Sequence, residues 1–390
     1  MCNFKPGEVL AFGRLHEMIK RTRKWSIPGE TDYVPLLPEG LEPVVPPDYS
    51  GQGFLHVKHV PEGLELLTVS KLSAALADMI RDHQAVVEPN YILPFGGPAA
   101  NAPAPFSPAM QTVIDAFKPM IAARSNPYRM AVLDSGLSAD QLQNFTNLRC
   151  FDYMGAQPVE VPDSVVTDRQ NHGSLVCRII SAVMDGQAEL VFGRVAIGRS
   201  DVTVLSLSKA HAHMVAETRP DVINLSVAPS GDSVFCPDCN RVVPVGHLHS
   251  MILPRIFELA GQTTWTVLAA GNTGKPSVGQ HELSVCDRMV IASAVGSDNV
   301  RTAYSSYATH PDIANLSCFG GDDRTVPGRQ GVLGSGPHVC GTSFSAPLIS
   351  CALASSIEWN SGTMRTSANT FESDVVTHAQ NSIAQVHAAL

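Results

Sequence analysis

Gly341-Thr342-Ser343-Phe344-Ser345-Ala346-Pro347, running directly into the apolar stretch Leu348 to Ala354, decides how this chain is to be read. A turn of small residues delivers a serine into the first turn of a helix. A proline just inside that helix is expected to cost nothing, because the first N–H groups of a helix have no intrahelical partner to lose. Those N–H groups also lie at the positive end of the helix dipole. The turn that exposes the Ser343 hydroxyl can therefore stabilise an anion formed beside it. The segment is either an ordinary N-cap or a nucleophile with half an oxyanion hole attached.

Upstream of it, short apolar segments alternate with helical ones. Strands are expected at Met130 to Leu133, Val202 to Leu207, Val222 to Val227, Thr266 to Ala269 and Val290 to Val295, none with period-two polarity, as for strands covered on both faces. Helices are expected over 109–123, 173–184, 207–217 and 250–261, the second with Leu175, Val176, Ile179, Ile180 and Val183 on one face. The alternation predicts an α/β fold of three layers, a mostly parallel central sheet with helices on both faces. In such a sheet the reacting residues belong at the carboxyl ends of strands.

Before that domain, residues 1–94 form a small α+β unit. GFLHVKHV at 53–60 reads as a strand, Leu72, Ala75, Leu76, Met79 and Ile80 as one helix face, and Ala85 to Glu88 as a second strand ended by Pro89 and Asn90. Residues 95–108, rich in glycine, proline and alanine, read as an exposed linker and a candidate processing site. The larger domain then takes 109–390, with an insertion at 232–249.

Composition narrows the function. The chain has 390 residues, 44% hydrophobic and 16% charged, enough for one large domain and a smaller one. A net charge of -9 with no dense basic face argues against a nucleic-acid partner. Arg14, Lys20, Arg21, Arg23 and Lys24 share their segment with Leu15, Met18 and Ile19 at helical spacing, which is a solvated helix face. The first residues lack the apolar core of a secretory signal, and no uncharged apolar run approaches the roughly 18 residues of a membrane span. Nine scattered cysteines, an odd number, do not make a disulfide framework. A cytoplasmic protein with no membrane association is expected.

Three further stretches fall at strand ends. VLDSGL places Asp134 at the end of the first strand of the sheet, NHGSLVCRII places His172 immediately before a helix, and LAAGNTG places Asn272 just past a strand. Each alone is also an ordinary turn. Together with Ser343 they occur in the order Asp, His, Asn, Ser, and the Asp…His…Ser order is the one subtilisin uses. With GTSFSAP they resemble the aspartate, histidine, oxyanion-asparagine and nucleophile motifs of the subtilisin-like serine proteases (subtilases), over roughly 125–360. VINLSVAPSG, residues 222–231, is similar to that family's substrate-binding strand.

The resemblance implies a subtilisin-like fold and a serine endopeptidase that forms an acyl-enzyme through Asp134, His172 and Ser343. Asn272 and the Ser343 N–H would bind the oxyanion, and Ser226, Val227 and Ala228 would pair with the backbone of a protein or peptide substrate. It implies no cofactor for catalysis. More loosely, residues 1–94 resemble the subtilase propeptide, AVVEPNYIL being like its final strand. That implies an intramolecular inhibitor, a zymogen and autoprocessing in the linker. The competing expectation is a restrained subtilase-fold scaffold that binds and does not cut. Several positions depart from the family: Leu175 stands where a second histidine is usual, Cys177-Arg178 where Ala-Gly is common, and Cys318-Phe319-Gly320 where Ala-Pro-Gly is usual. No calcium loop is recognisable.

The insertion carries chemistry of its own. VFCPDCNRVVPVGHLHSM holds Cys236 and Cys239 in a C-x-x-C turn, with His247 and His249 alternating on one strand face. Four such N/S ligands suit a structural tetrahedral zinc, whereas unligated surface cysteines and a redox C-x-x-C are the other readings.

Overall fold

A computed structural model of the chain describes residues 4–22, 52–57, 60, 65–82, 84–93, 104–121, 126–137, 148–155, 158–162, 172–196, 202–227, 233–236, 241–244, 250, 252–260, 263–277, 283–323, 328–335, 338–361 and 368–390. In the N-terminal unit, strand β1 (Phe4–Arg14) is followed by α1 (Leu15–Thr22), β2 (Gln52–Val57), α2 (Glu65–Ala75), α3 (Ala77–Arg81) and β3 (Ala85–Leu93). β1 lies between β2 and β3 and is antiparallel to both. Alternation along β1 splits its side chains between two cores. Val9 and Ala11 pack with Met18, Leu72, Leu76 and Met79, so the helical spacing read from the sequence closes this unit's own core. Leu10 and Phe12, with Phe54, enter a core of the larger domain instead.

Pro89 does not end the second strand. β3 runs on to Leu93, because the register against β1 shifts between Phe4 and Val9, just where Pro89 stands opposite Val9. The missing N–H falls at an irregularity of the ladder, where a proline is tolerated. Ile92 and Leu93 then pair antiparallel with Thr203 and Val202 of the larger domain.

That domain runs α4 (Pro108–Phe117), β4 (Tyr128–Asp134), β5 (Leu148–Asp152), β6 (Val159–Val161), α5 (His172–Met184), β7 (Ala188–Arg194), β8 (Val202–Thr203), α6 (Val204–His213), β9 (Val222–Leu225), β10 (Ser233–Cys236), β11 (Arg241–Pro244), α7 (Ile252–Ala260), β12 (Trp265–Ala269), β13 (Met289–Val295), β14 (Ala314–Phe319), α8 (Thr342–Ser361) and α9 (Ala368–His387). Eight strands form one sheet in the order β14-β13-β12-β9-β4-β7-β5-β6. Every pair in it is parallel except β5 with β6. Both faces are covered, which explains the continuous apolar runs. Along β4, Met130 and Val132 enter the core beneath α4, α5, α8 and α9, while Ala131 and Leu133 enter the core shared by α6 and α7. Among the described residues no helix is long and apolar enough to cross a membrane.

Two further expectations about the larger domain differ from the structure. The strand expected over 202–207 is reduced to its first two residues. β8 has two residues, and α6 begins at Val204 because Thr203 and Ser206 form a reciprocal cap, Ser206 N–H donating to Thr203 Oγ1 (3.1 Å) and Thr203 N–H to Ser206 Oγ (3.0 Å). The strand that enters the sheet is β7, in a stretch to which the sequence reading assigned no element. Asp185 and Gly186 take φ of 46° and 80° directly after Met184, so the helix stops and the chain reverses.

The second correction concerns the end of the linker. Ala104 and Ser107 are buried, Ser107 N–H donates to Val332 O at 3.0 Å, and Ser107 Oγ caps α4 by accepting from Met110 N–H at 3.2 Å. Arg178 on α5 donates to Ala104 O at 2.7 Å and stacks its guanidinium 4.1 Å from the Phe106 ring centre. Residues 104–107 are thus part of the larger domain, and 94–103 lie outside the described residues.

Candidate active site

β4 ends at Asp134, and α5 begins at His172, both wholly buried. Asp134 Oδ1 accepts from Ser135 N–H at 2.8 Å and lies 3.3 Å from Ser135 Oγ. His172 Nδ1 is 2.9 Å from Oδ1 and 3.0 Å from Oδ2. A carboxylate can only accept, so Nδ1 holds a proton and Nε2 is the nitrogen left to act as a base. Close approach of α5 to the β4 turn depends on Gly173, where a Cβ would come within 2.3 Å of Gly136 O and 3.1 Å of Asp134 Oδ1. Gly173→Ala is expected to push α5 off this turn, costing about 1–3 kcal/mol of stability and the His172–Asp134 contact. A melting temperature equal to that of the unaltered chain would count against the tight approach. Beneath the pair, burial first, then Asp134 and Cys150, pushes the Cys177 thiol well above its usual range, so it stays neutral.

Ser343 stands in the first turn of α8 and faces the end of β9. Its Oγ donates to Ser226 O at 3.1 Å, and Ser226 Oγ donates to Ser343 O at 2.8 Å. The His172 ring centre is 5.4 Å from that of Phe344, the next residue. Pro347 is not in the first turn, as the sequence suggested. α8 begins at Thr342, so the N–H missing at Pro347 is the one that would have donated to Ser343 O. Ser345 points the other way, accepting from Cys318 N–H at 3.2 Å and donating to Ser293 O, and ties the start of the helix to the sheet.

Asn272 follows β12, and its orientation is fixed by Thr342. Thr342 N–H donates to Asn272 Oδ1 at 2.9 Å, with Thr342 Oγ1 3.3 Å from the same oxygen. With the carbonyl end occupied, the amide nitrogen beside Gly341 is the end left to donate. The loop that carries it is braced by 304–307: Ser306 N–H donates to Gly271 O (3.0 Å), Gly274 N–H to Tyr304 O (2.7 Å) and Ser277 N–H to Tyr307 O (2.8 Å).

Asp134, His172, Ser226, Val227, Asn272 and Ser343 therefore converge on the carboxyl ends of β4, β9 and β12 and the first turns of α5 and α8. Ser343 keeps 3% of its exposure, His172 none and Val227 2%. Ala228, Cys239, His247 and His249 lie outside the described residues, and Cys236 is described only as the end of β10, paired with Arg241. Sequence reasoning passed over Ser135, Thr342 and Asn224, none of which carries a motif signal alone. Asn224 had one in principle, an amide inside an apolar strand.

The sequence model of the Subtilase family matches residues 126–388. No curated protein matches the chain. Two crystal structures of the epidermin leader peptide processing serine protease of Staphylococcus aureus are similar in fold. One, of a mutant, is 14% identical over 97% of this chain and 92% of that one, with a TM-score of 0.57. The other is 14% identical over 97% and 91%, with a TM-score of 0.54.

Proposed function

The chain belongs to the Subtilase family of serine proteases, and from that premise we propose an endopeptidase that works through Asp134, His172 and Ser343 and is held latent by its own N-terminal unit. The observation that carries the proposal is the His172 Nδ1–Asp134 carboxylate contact, because it leaves Nε2 as the base on the side of α8. The Ser343 hydroxyl turns from Ser226 O to Nε2 and gives up its proton as Oγ bonds to the carbonyl carbon of the scissile peptide. The electron pair moves to the carbonyl oxygen, which accepts from Asn272 Nδ2 and the Ser343 N–H. Collapse of this intermediate breaks the C–N bond, and the imidazolium protonates the leaving amine. Water repeats the sequence on the acyl-enzyme. Ser226, Val227 and Ala228 pair with the substrate backbone.

Latency rests on burial. Ser343 keeps 3% exposure and His172 none, although Asn272 is exposed, so the approach to the hydroxyl is narrow. That the N-terminal unit is docked on the larger domain supports the reading: Leu10, Phe12 and Phe54 share a core with α6 and α7, and buried Glu88 accepts from Ser250 Oγ at 2.7 Å. Ser250 Oγ in turn accepts from Leu253 N–H at 3.2 Å in the first turn of α7. Processing would fall between 94 and 103. None of these steps uses a metal. Cys236, Cys239, His247 and His249 are proposed separately as ligands of a structural zinc.

The test is intact mass before and after incubation, with and without a fluorophosphonate. One adduct, mapped to Ser343 and increased by nicking within 94–103, is expected. A chain that takes no adduct even when nicked is the restrained scaffold.

A further inference from the structure

We infer that Asn224 is a positioning residue for the nucleophile, acting through the Ser226 hydroxyl to replace the hydrogen bond that Pro347 removes from the carbonyl of Ser343. The inference rests on Ser343 being the nucleophile. Inside α8 the Ser343 carbonyl faces the nitrogen of residue 347, which in proline has no proton and carries a ring that crowds the same oxygen. A buried carbonyl left without a donor is costly, and at 3% exposure Ser343 is shut off from bulk water. Ser226 Oγ supplies the donor at 2.8 Å.

A lone hydroxyl can swing its single proton elsewhere. Asn224 prevents this by donating from Nδ2 to Ser226 Oγ at 2.9 Å, which fills an acceptor position and leaves the proton for Ser343 O. Asn224 Oδ1 in turn lies 3.2 Å from Ser350 Oγ on α8, which shares its one proton between that oxygen and Ala346 O at 2.9 Å. Asn224, Ser226 and Ser350 are all wholly buried. An amide flanked by Val222, Ile223 and Leu225 is expensive in a strand unless its hydrogen bonds are all used. Here the Nδ2 bond acts through Ser226 to set the torsion about Cα–C of Ser343, and with it the direction of the Cα–Cβ bond that carries Oγ toward Ser226 O. The chain Ser350, Asn224, Ser226, Ser343 O joins the helix to the strand that is proposed to bind substrate.

The measurement is the rate at which a small alkyl fluorophosphonate labels the nicked full chain, followed by intact mass. Such a probe carries no peptide, so lost pairing with the substrate strand does not enter. Ser226→Ala and Asn224→Ala should each slow labelling about tenfold, the effect of one hydrogen bond at a reacting group. Adding Pro347→Ala to Ser226→Ala should bring the rate back to within about threefold of the unaltered chain, because a backbone N–H again faces the carbonyl. A merely structural role for Ser226 predicts no such rescue. Asn224→Ala opens a core cavity and is read beside its thermal unfolding, whereas Ser226→Ala removes a single oxygen and carries the test if the other fails to fold. Labelling of Ser226→Ala at the unaltered rate, or slowed labelling that Pro347→Ala does not restore, overturns the inference alone. An unaltered chain that takes no adduct overturns it together with the assignment of the nucleophile.

Discussion

Ser343→Ala should abolish both the fluorophosphonate adduct and any self-cutting between 94 and 103, with turnover of a peptide substrate falling on the order of 10⁶-fold, a scale taken from loss of the nucleophile in subtilisin. The loss would not come from unfolding. Of the contacts of residue 343, only the Oγ bond to Ser226 O is made by the side chain that changes, and the carbonyl still accepts from Ser226 Oγ. The thermal midpoint should therefore move by no more than about 1 kcal/mol of stability implies. Intact mass separates the outcomes. A variant that still takes the adduct has another nucleophile, and a variant still cut at its own rate is being cut by something else.

How far the site could be read in advance depended on whether its chemistry sits in short-range pattern or in packing. Asp134, His172, Asn272 and Ser343 are each flanked by glycines and small residues that strand ends and helix starts require, and their order along the chain limits the fold. The continuous apolar runs at Met130 to Leu133 and Val290 to Val295 report strands covered on both faces, and that too is a local signal. What escaped is partly local chemistry read too coarsely and partly packing at long range. Val202 to Leu207 has strand composition, yet Thr203 and Ser206 satisfy each other's N–H and start a helix. Ala188 to Arg194 follows an amphipathic helix closely enough to be assigned no element of its own, and only the left-handed pair at Asp185 and Gly186 separates them. Pro347 looked harmless because it was counted among the first, unpartnered N–H groups although it lies four residues past Ser343, and the cost of its missing N–H appears only when Ser226 is seen donating from the end of β9.

The linker shows the same limit from the other side. Its glycine, proline and alanine content describes the chain's local freedom and says nothing of what it meets. Arg178, at a position where the family commonly has glycine, holds Ala104 and Phe106 against α5, the helix that begins with His172. The substitution therefore fastens the end of the linker to the element carrying the proposed base. The proposed processing is thus expected before residue 104, which a mapped cut between 104 and 108 would contradict.

Asp134→Asn should lower turnover about 10⁴-fold while leaving the fold in place, a scale set by aspartate-to-asparagine exchange in a serine-protease triad. The size follows from which end of the new amide is fixed. Ser135 N–H donates to Oδ1 at 2.8 Å and demands an acceptor there, so the amide oxygen takes the Oδ1 position. The NH₂ group then occupies the place of Oδ2, 3.0 Å from His172 Nδ1, so that an Nδ1–H could still reach the amide oxygen at 2.9 Å only by facing a second donor, a clash the other tautomer removes by accepting from the NH₂. His172 answers by carrying its proton on Nε2, and in that tautomer it cannot accept the proton of Ser343 Oγ. The imidazolium formed during the reaction also loses the buried anion that stabilised it. The check is kcat together with an imidazole ¹⁵N spectrum of the full chain: turnover down and the proton moved to Nε2 is the expected pair of results. If turnover falls and Nε2 stays unprotonated, Asp134 acts through charge and not through the tautomer. If turnover is unchanged, Asp134 is not the orienting carboxylate at all.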